Sequence, residues 1–281
     1  MKLPFEINLK NKVAVVTGAG GIICSHLAKA LASCGAKVAL LDLNKDAAQA
    51  QADLIVKDGG TAKGFSCNVL VKESLEACHE EVLKEFGKCD ILINGAGGNN
   101  PRATTDNEYA ELDDSLKEMK TFFDLDQSGV EFVFNLNFIG TLLPTQVFAK
   151  DMIGRKDCSI LNISSMNAYT PLTKIPAYSG AKAAVSNLTE WLAVHFSKVG
   201  IRCNAIAPGF FVTKQNEKLL FDEQGQPTPR TNKILRNTPM DRFGKPEELI
   251  GAVAFLLSDS ASFVNGVVLP IDGGFNAYSG V

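Results

Sequence analysis

Short apolar runs recur along the chain at 12–17 (KVAVVT), 36–42 (AKVALLD), 62–68 (AKGFSCN), 89–94 (CDILIN), 158–164 (CSILNIS), 201–207 (IRCNAIA) and 266–272 (GVVLPID). Most lack strict apolar–polar alternation, the pattern of strands covered on both faces. Longer amphipathic stretches at 22–34, 44–58, 71–86 and 179–199 separate them and read as helices. In LVKESLEACHEEVLKEF, for example, Leu75, Val82 and Phe86 recur near helical spacing. Strand–helix–strand alternation over the whole length predicts an α/β fold, a doubly wound parallel sheet of about seven strands with helices on both faces. No Pro/Gly/Ser-rich linker, repeat or low-complexity tract divides the chain, so residues 1–281 are expected to form one domain.

Two segments interrupt this rhythm, at about 98–121 and about 209–245. Each follows the carboxyl end of a strand, where ligands bind in open α/β sheets, and loops this long are often functional lids.

Bulk properties narrow the function classes. The 281 residues are 46% hydrophobic with a mean hydropathy of +0.05, enough for one large core. A net charge of -3 and a pI near 5.7 leave no basic footprint for nucleic acid or an anionic membrane. Neither a signal peptide after MKLPFEINLK nor a run of 18 uncharged apolar residues is visible, so a cytoplasmic protein without a membrane span is expected. Seven cysteines without a CxxC pair read as reduced, mostly buried thiols. His26, His79 and His195 are too dispersed to suggest a metal site.

The first strand runs into TGAGGIICSHLAKALA, where Gly18, Gly20 and Gly21 precede a helix that opens with Ile22 and Ile23. Such a turn brings backbone N–H groups and the positive helix end up to a pyrophosphate, at positions where a Cβ would obstruct the approach. The second strand ends in Asp42, an acid placed to accept both hydroxyls of an adenosine ribose. Together they predict a nicotinamide dinucleotide site, with NAD (NADH) preferred over NADP, in a Rossmann-type sheet. Further along, AYSGAKAAV sets Tyr178 and Lys182 one helical turn apart on one face. A cation there is expected to lower the tyrosine pKa from its usual value of about 10, equipping the phenol for proton transfer.

These motifs occur in an order that resembles the short-chain dehydrogenase/reductases over nearly the whole chain. The glycine turn (17–24) is followed by NGAG (94–97), NFIG (137–140), NISS (162–165), YSGAK (178–182), RCNAIAPG (202–209) and DGG (272–274). The resemblance implies a catalytic group of Asn137, Ser165, Tyr178 and Lys182: Asn137 holds a relay water, Ser165 orients the carbonyl and Lys182 also binds the nicotinamide ribose. Ser165 precedes Tyr178 by the family's 13 residues, whereas strand alternation points Ser164 the other way. The resemblance also implies cofactor contacts at Asn68, Val69, Asn94, Ala96, Gly97, Pro208, Gly209 and Thr213, and a homotetramer built through the 122–152 and 179–199 helices.

Some positions depart from the family pattern. Ile22 and Cys24 stand where TGxxxGxG has glycines, which predicts a reshaped turn. Asn68 replaces an acid, and NNAG is NGAG here.

Within the family, GAGGNNPRATT, TFFDLD, SSMNAYTPLTKIPAYS and APGFFVT most resemble the D-mannonate oxidoreductases (fructuronate reductases), which interconvert a keto-uronate and an aldonate. A sugar-acid substrate would need a cation for its carboxylate. The candidates are Arg102, Lys174 and Arg230 in that order, with Asn99, Asn100 and Asn167 available for hydroxyls. The alternatives are another sugar-acid or polyol dehydrogenase of the gluconate 5-dehydrogenase type, and a dinucleotide-binding scaffold without turnover.

Overall fold

The structure is a computed structural model describing residues 7–111, 118–213 and 217–280. Parts of the two lid-like segments, 112–117 and 214–216, lie outside the described residues.

Seven parallel strands form one sheet: β1 (Val13–Thr17), β2 (Lys37–Asp42), β3 (Thr61–Ser66), β4 (Ile91–Asn94), β5 (Cys158–Ile163), β6 (Ile201–Pro208) and β7 (Val268–Ile271). Their spatial order is β3-β2-β1-β4-β5-β6-β7. The chain winds outward from β1 to β3, returns to the other side of β1 as β4, and winds outward again to β7. The carboxyl ends of β1 and β4 therefore flank the switch point where such sheets bind ligands. Each predicted strand corresponds to one of these seven, and the fold is the single-domain Rossmann-type sheet expected.

Strand alternation sorts the side chains into two cores. Ala14, Val16, Val38, Leu40, Ile91 and Ile93 face one side, with Leu27 and Leu31 of α1 (Ile22–Ser33), Ala52 and Ile55 of α2 (Lys45–Lys57) and Val253 and Leu256 of α9 (Ile250–Leu257). Val13, Val15, Ala39, Leu41, Leu92 and Ile160 face the other. They meet Leu75 and Val82 of α3 (Lys72–Phe86), Phe148 of α5 (Gly140–Phe148), and Leu188 and Leu192 of α6 (Pro176–His195). Because both faces are covered, the strands carry apolar residues at odd and even positions alike. Alternation is invisible in the sequence for that reason.

The helices also end where local chemistry dictates. Asn44 caps α2 by accepting from the Ala47 N–H at 3.1 Å. Pro176 opens α6 three residues earlier than expected, where its missing N–H costs nothing. Helix α6 closes at His195, and after a short turn Gly200 takes the left-handed conformation at φ +89°. The long apolar helical run Gln127–Asp151 is half buried. It contains α4 (Gln127–Phe134) and α5, separated by a π turn at Asn135–Ile139 that the sequence did not predict.

A buried polar ladder ties these helices to the sheet. Asn94 and Asn162 are register partners on β4 and β5. The Asn94 amide donates to Thr145 Oγ1 and to Asn162 Oδ1, both at 2.9 Å, and the Asn162 amide donates to Thr189 Oγ1 at 2.9 Å. Removing one member strands the others away from water. Asn94→Ala is expected to cost about 1–3 kcal/mol, read as a lower denaturant midpoint at unchanged m-value. An unchanged midpoint would remove the ladder from any account of stability.

Candidate active site

The crevice begins where β1 ends. Thr17 Oγ1 accepts the Gly95 and Ala96 N–H groups at 3.0 and 3.2 Å, drawing the loop after β4 against the loop after β1. Gly18 adopts φ +65°, and a Cβ there would lie 2.9 Å from the Ala96 backbone, so only glycine serves. Gly21 is the N-cap of α1. The helix has no side-chain cap and no acid in its first turn, and its first backbone donors, including those of Ile22 and Ile23, have no side-chain acceptor. Glycine at 20 accommodates Ala47 Cβ, which would lie 2.9 Å from an added Cβ, and its N–H donates to Asp42 Oδ2 at 2.9 Å. Asp42 Oδ1 accepts from Asn44 N–H at 2.9 Å. The acid at the end of β2 is thus oriented by the glycine turn itself. Despite Ile22 and Cys24, α1 starts where expected.

Beyond β3, Asn68 Oδ1 accepts the Leu70 N–H at 3.0 Å, forming a local turn, while its backbone N–H donates to Ser74 Oγ at 3.0 Å. Val69 is buried against Gly140. These features fit a dinucleotide: a close-approach glycine turn, a bare helix N-terminus, an oriented acid for a diol and a half-buried asparagine beyond it.

The candidate proton-transfer residues gather on the other side of the same crevice. Gly97 lies between them and the cofactor turn, and a Cβ there would sit 2.7 Å from Asn137 Oδ1 and 3.2 Å from Lys182 Nζ. Asn137 lies in the π turn, fully buried. Its amide donates to Gly98 O at 2.8 Å and Val133 O at 2.7 Å, and its Oδ1 accepts the Gly98 N–H at 3.2 Å. The side chain therefore pins the loop after β4 to the helix, and the Asn137 backbone carbonyl accepts from Thr141 Oγ1 at 2.8 Å.

The two candidate serines separate cleanly. Ser164 Oγ is spent on the Lys182 carbonyl and Ser186 Oγ, at 3.2 and 2.7 Å. Ser165 Oγ accepts the Asn167 N–H at 3.2 Å and lies in hydrogen-bonding contact with Tyr178. Lys182 Nζ, buried on α6, donates to Ile163 O at 2.7 Å and stands 5.6 Å from the Tyr178 ring centroid.

One electrostatic expectation is corrected. Lys182 was expected to lower the phenol's pKa, yet burial pushes Tyr178 above its usual range, and only the Ser165 hydroxyl opposes that. Burial instead lowers Lys182 itself to about 8. The reason is that this ammonium is turned to the Ile163 carbonyl, and the phenol has lost its water.

The remaining candidates divide. The Asn94 amide belongs to the buried ladder, while its backbone ends β4 at the crevice. Pro208 is the buried end of β6, paired with Ile271. Gly209 lies where a Cβ would meet Asp272 Cα at 2.6 Å. Thr213 is half-buried at the edge of the second lid-like segment.

Arg102 turns away from the crevice. It donates to Ser128 Oγ at 3.0 Å and lies 3.7 Å from Asp126, the N-cap of α4. Asn99 donates to Thr104 Oγ1 at 3.0 Å, and Asn100 caps the Pro101–Ala103 turn, so this loop is organised around itself. Asn167 is buried beside Ser165.

Lys174 does line a cleft of about 460 Å³, with Thr105, Asn107, Glu108, Leu172 and Pro176, two residues before Tyr178. It sits at φ +73°, unusual for a non-glycine residue, with its carbonyl accepting the Thr105 N–H at 2.9 Å. Arg230 lies on α8 (Pro229–Arg236), where the neighbouring Lys233 pairs with Glu108 of the first lid-like segment. The hydrogen bond from Lys233, aided by the charges of Lys174 and Arg230, holds the Glu108 carboxyl below its usual range. Sequence reasoning missed both Glu108 and Lys233, since nothing local marks residues that meet only across two loops.

Comparison with known proteins agrees with this geometry. The sequence profile of the enoyl-(acyl carrier protein) reductases matches residues 18–276. An uncharacterised oxidoreductase of Haemophilus influenzae is 64% identical over all of this chain and 99% of its own. The uncharacterised oxidoreductase UxuB of Bacillus subtilis is 49% identical over 99% of this chain and 100% of its own. Among solved structures, a candidate D-mannonate oxidoreductase from Haemophilus influenza with bound NAD superposes with a TM-score of 0.94 at 64% identity, over 98% of each chain. A gluconate 5-dehydrogenase from Burkholderia cenocepacia in complex with NADP and tartrate gives 0.84 at 28% identity, over 97% of this chain and 98% of the other. With the profile spanning nearly the whole fold and the motifs assembled around one crevice, the chain belongs to the short-chain dehydrogenase/reductase family and is an oxidoreductase of that family.

Proposed function

We propose that the protein is an NAD(H)-dependent reductase of a keto-uronate, interconverting D-fructuronate and D-mannonate. The observation that carries the proton-transfer part is the grouping of Ser165, Tyr178 and Lys182 at the carboxyl end of β5, across Gly97 from the dinucleotide crevice. A bound nicotinamide supplies or accepts the hydride. The chain's own residues handle the proton: Ser165 holds the substrate oxygen, and the Tyr178 phenol, kept protonated by burial, donates to the developing alkoxide. Lys182 supplies positive charge beside them and a donor for the cofactor ribose.

The sugar-acid part rests on Lys174. Among the described residues it lines the cleft next to α6 without an ion-pair partner, and its left-handed backbone is held by the first lid-like segment. It therefore replaces Arg102, which Asp126 already neutralises, as the first candidate for the substrate carboxylate. Arg230 is second, through the cation group around Glu108. Asn167 beside Ser165 is the candidate for a hydroxyl. The similarity to the candidate D-mannonate oxidoreductase supports the substrate choice. A second reading, a gluconate 5-dehydrogenase type, is favoured by the similarity to the structure holding tartrate and to a 5-keto-D-gluconate 5-reductase of Escherichia coli at 30% identity. Both readings keep an acid as substrate. The segments 98–121 and 209–245 act as lids over it, joined by the Glu108–Lys233 pair. The family resemblance supports a cytoplasmic homotetramer.

Tyr178→Phe keeps the ring and loses the proton, so turnover should fall by roughly 10²–10⁴ with NADH binding retained. Lys182→Ala should damage both. Near-normal turnover of Tyr178→Phe would end this mechanism. In the reductive direction both the phenol and the Lys182 ammonium must be protonated. Because Lys182 is lowered to about 8, kcat/KM for reduction should fall as pH rises through about 8. A profile that rises there contradicts the assignment.

Asp42 should repel the 2′-phosphate of NADP, and Leu43 and Asn44 directly after it carry no cation to offset this. NAD is expected to be favoured at least about tenfold, or roughly 1.4 kcal/mol, in kcat/KM. Equal efficiency with both cofactors would refute the role given to Asp42.

Finally, a screen of keto-acids with NADH should show fructuronate used far better than fructose, its neutral analogue. Loss of a buried charge partner can cost about 3–5 kcal/mol. Lys174→Ala should raise KM for the acid selectively. Equal use of fructose and fructuronate sinks the sugar-acid reading and leaves the dehydrogenase standing.

A further inference from the structure

Two departures from the family pattern lie in different loops and turn out to touch. Cys24 stands on the first turns of α1 where the family has glycine, and Gly95 stands after β4 where the family has asparagine. A Cβ built at Gly95 would lie 2.1 Å from Cys24 Sγ, far inside any tolerable contact, yet 3.7 Å from Cys24 Cβ, an ordinary one. The sulfur occupies the volume that any side chain at 95 would need. One position gained atoms and the other lost them.

We propose that Cys24 and Gly95 form a single positioning element for the dinucleotide, in which the sulfur from α1 sets how closely the loop after β4 approaches β1. The neighbours define what it positions. Gly95 N–H and Ala96 N–H are the two donors held by Thr17, and Ala96 is the backbone against which Gly18 is packed. Any displacement at 95 therefore moves the glycine turn that receives the pyrophosphate. Cys24 acts through shape and not charge. Burial pushes its thiol up to about 12, so it is neutral at physiological pH. It is nearly inaccessible, at 4% exposure, and fills space as a small apolar group would. The proposal rests on membership of the family and not on the sugar-acid reading, so the two fail separately.

The test is a cycle of Gly95→Ala, Cys24→Ala and the double variant, read by NADH titration without substrate, by KM for NADH against kcat, and by unfolding midpoint. Thr17 O, 2.9 Å from the same built Cβ, opposes alanine at 95 in both backgrounds, so the cycle isolates the sulfur. Gly95→Ala alone should weaken NADH at least about tenfold and raise its KM, with kcat at saturating NADH within about threefold. Cys24→Ala alone, which removes the sulfur that sets the approach, should weaken NADH by at least about threefold, and the double variant should bind at least about threefold more tightly than Gly95→Ala, keeping only the part of its penalty due to Thr17 O. Equal penalties for Gly95→Ala in the two backgrounds would overturn the proposal. So would a shift of unfolding midpoint with unchanged NADH affinity, which would make the contact merely structural. If Gly95→Ala alone does not fold, the double variant decides. NADH binding by a folded double variant supports the pairing, and failure to fold or bind refutes it.

Discussion

The active site depends on one hydroxyl. Thr17 Oγ1, at the end of β1, accepts two successive backbone N–H groups from the loop after β4. These strands are neighbours in the sheet but far apart in sequence, and Thr17 joins the loops that leave them at the topological switch. The Gly18 backbone meets Ala96 there, at a distance that excludes a side chain at 18. The cofactor turn and the loop carrying Gly97 thereby become one surface. Asn137 then fastens the far end of that loop, through Gly98, to the π turn. The dinucleotide crevice and the proton-transfer group share this loop, which is how a fold assembled from distant segments sets a hydride carrier beside a proton donor.

Lys182 sits against this surface at a cost. An ammonium held at 5% exposure, with a single backbone carbonyl as its hydrogen-bond partner, has lost much of its hydration without gaining a carboxylate. The lowering of its pKa to about 8 expresses that cost. A group in this state retains donors for a polar ligand, and ribose hydroxyls are suited to take them. Tyr178 shows the complementary case, since burial favours its neutral, proton-bearing form. The buried, protonated phenol is the form that the proposed reduction uses.

The sequence made the sheet legible because runs such as VAVVT and ILIN are apolar at successive positions, which only a strand covered on both faces tolerates. It also made Ser165 legible, because spacing to Tyr178 and strand alternation agreed. The legibility failed wherever the decisive neighbour was remote. Arg102 looked free in GAGGNNPRATT, but Asp126, its ion-pair partner, lies 24 residues further along the chain. The π turn in FNLNFIG has the composition of ordinary helix, and its register shift is set by the Asn137 amide bonding. The direction of the tyrosine shift was misjudged because spacing reports which residues share a helix face, whereas burial reports which of them keep water. Cys24 and NGAG were noticed as departures, one by one. Only their contact shows them to be one exchange of volume.

Chemistry and recognition occupy different kinds of structure in this chain. Asn137, Ser165, Tyr178 and Lys182 are held by packed helices and strand ends, with hydrogen bonds that leave little freedom. Lys174 and Glu108 stand on connections between these elements and Lys233 on a short helix, and the one ion pair among these three, Lys233–Glu108, is partly exposed and worth about 0–1 kcal/mol. An interaction that weak contributes little to folding, but it is easily exchanged. The Glu108–Lys233 pair at the cleft can therefore open without disturbing the Ser165–Tyr178–Lys182 group. Residues in these connections can thus change while the geometry around Tyr178 stays fixed. This separation explains why the family's chemistry is plain in the motifs, while the substrate has to be argued from the loops.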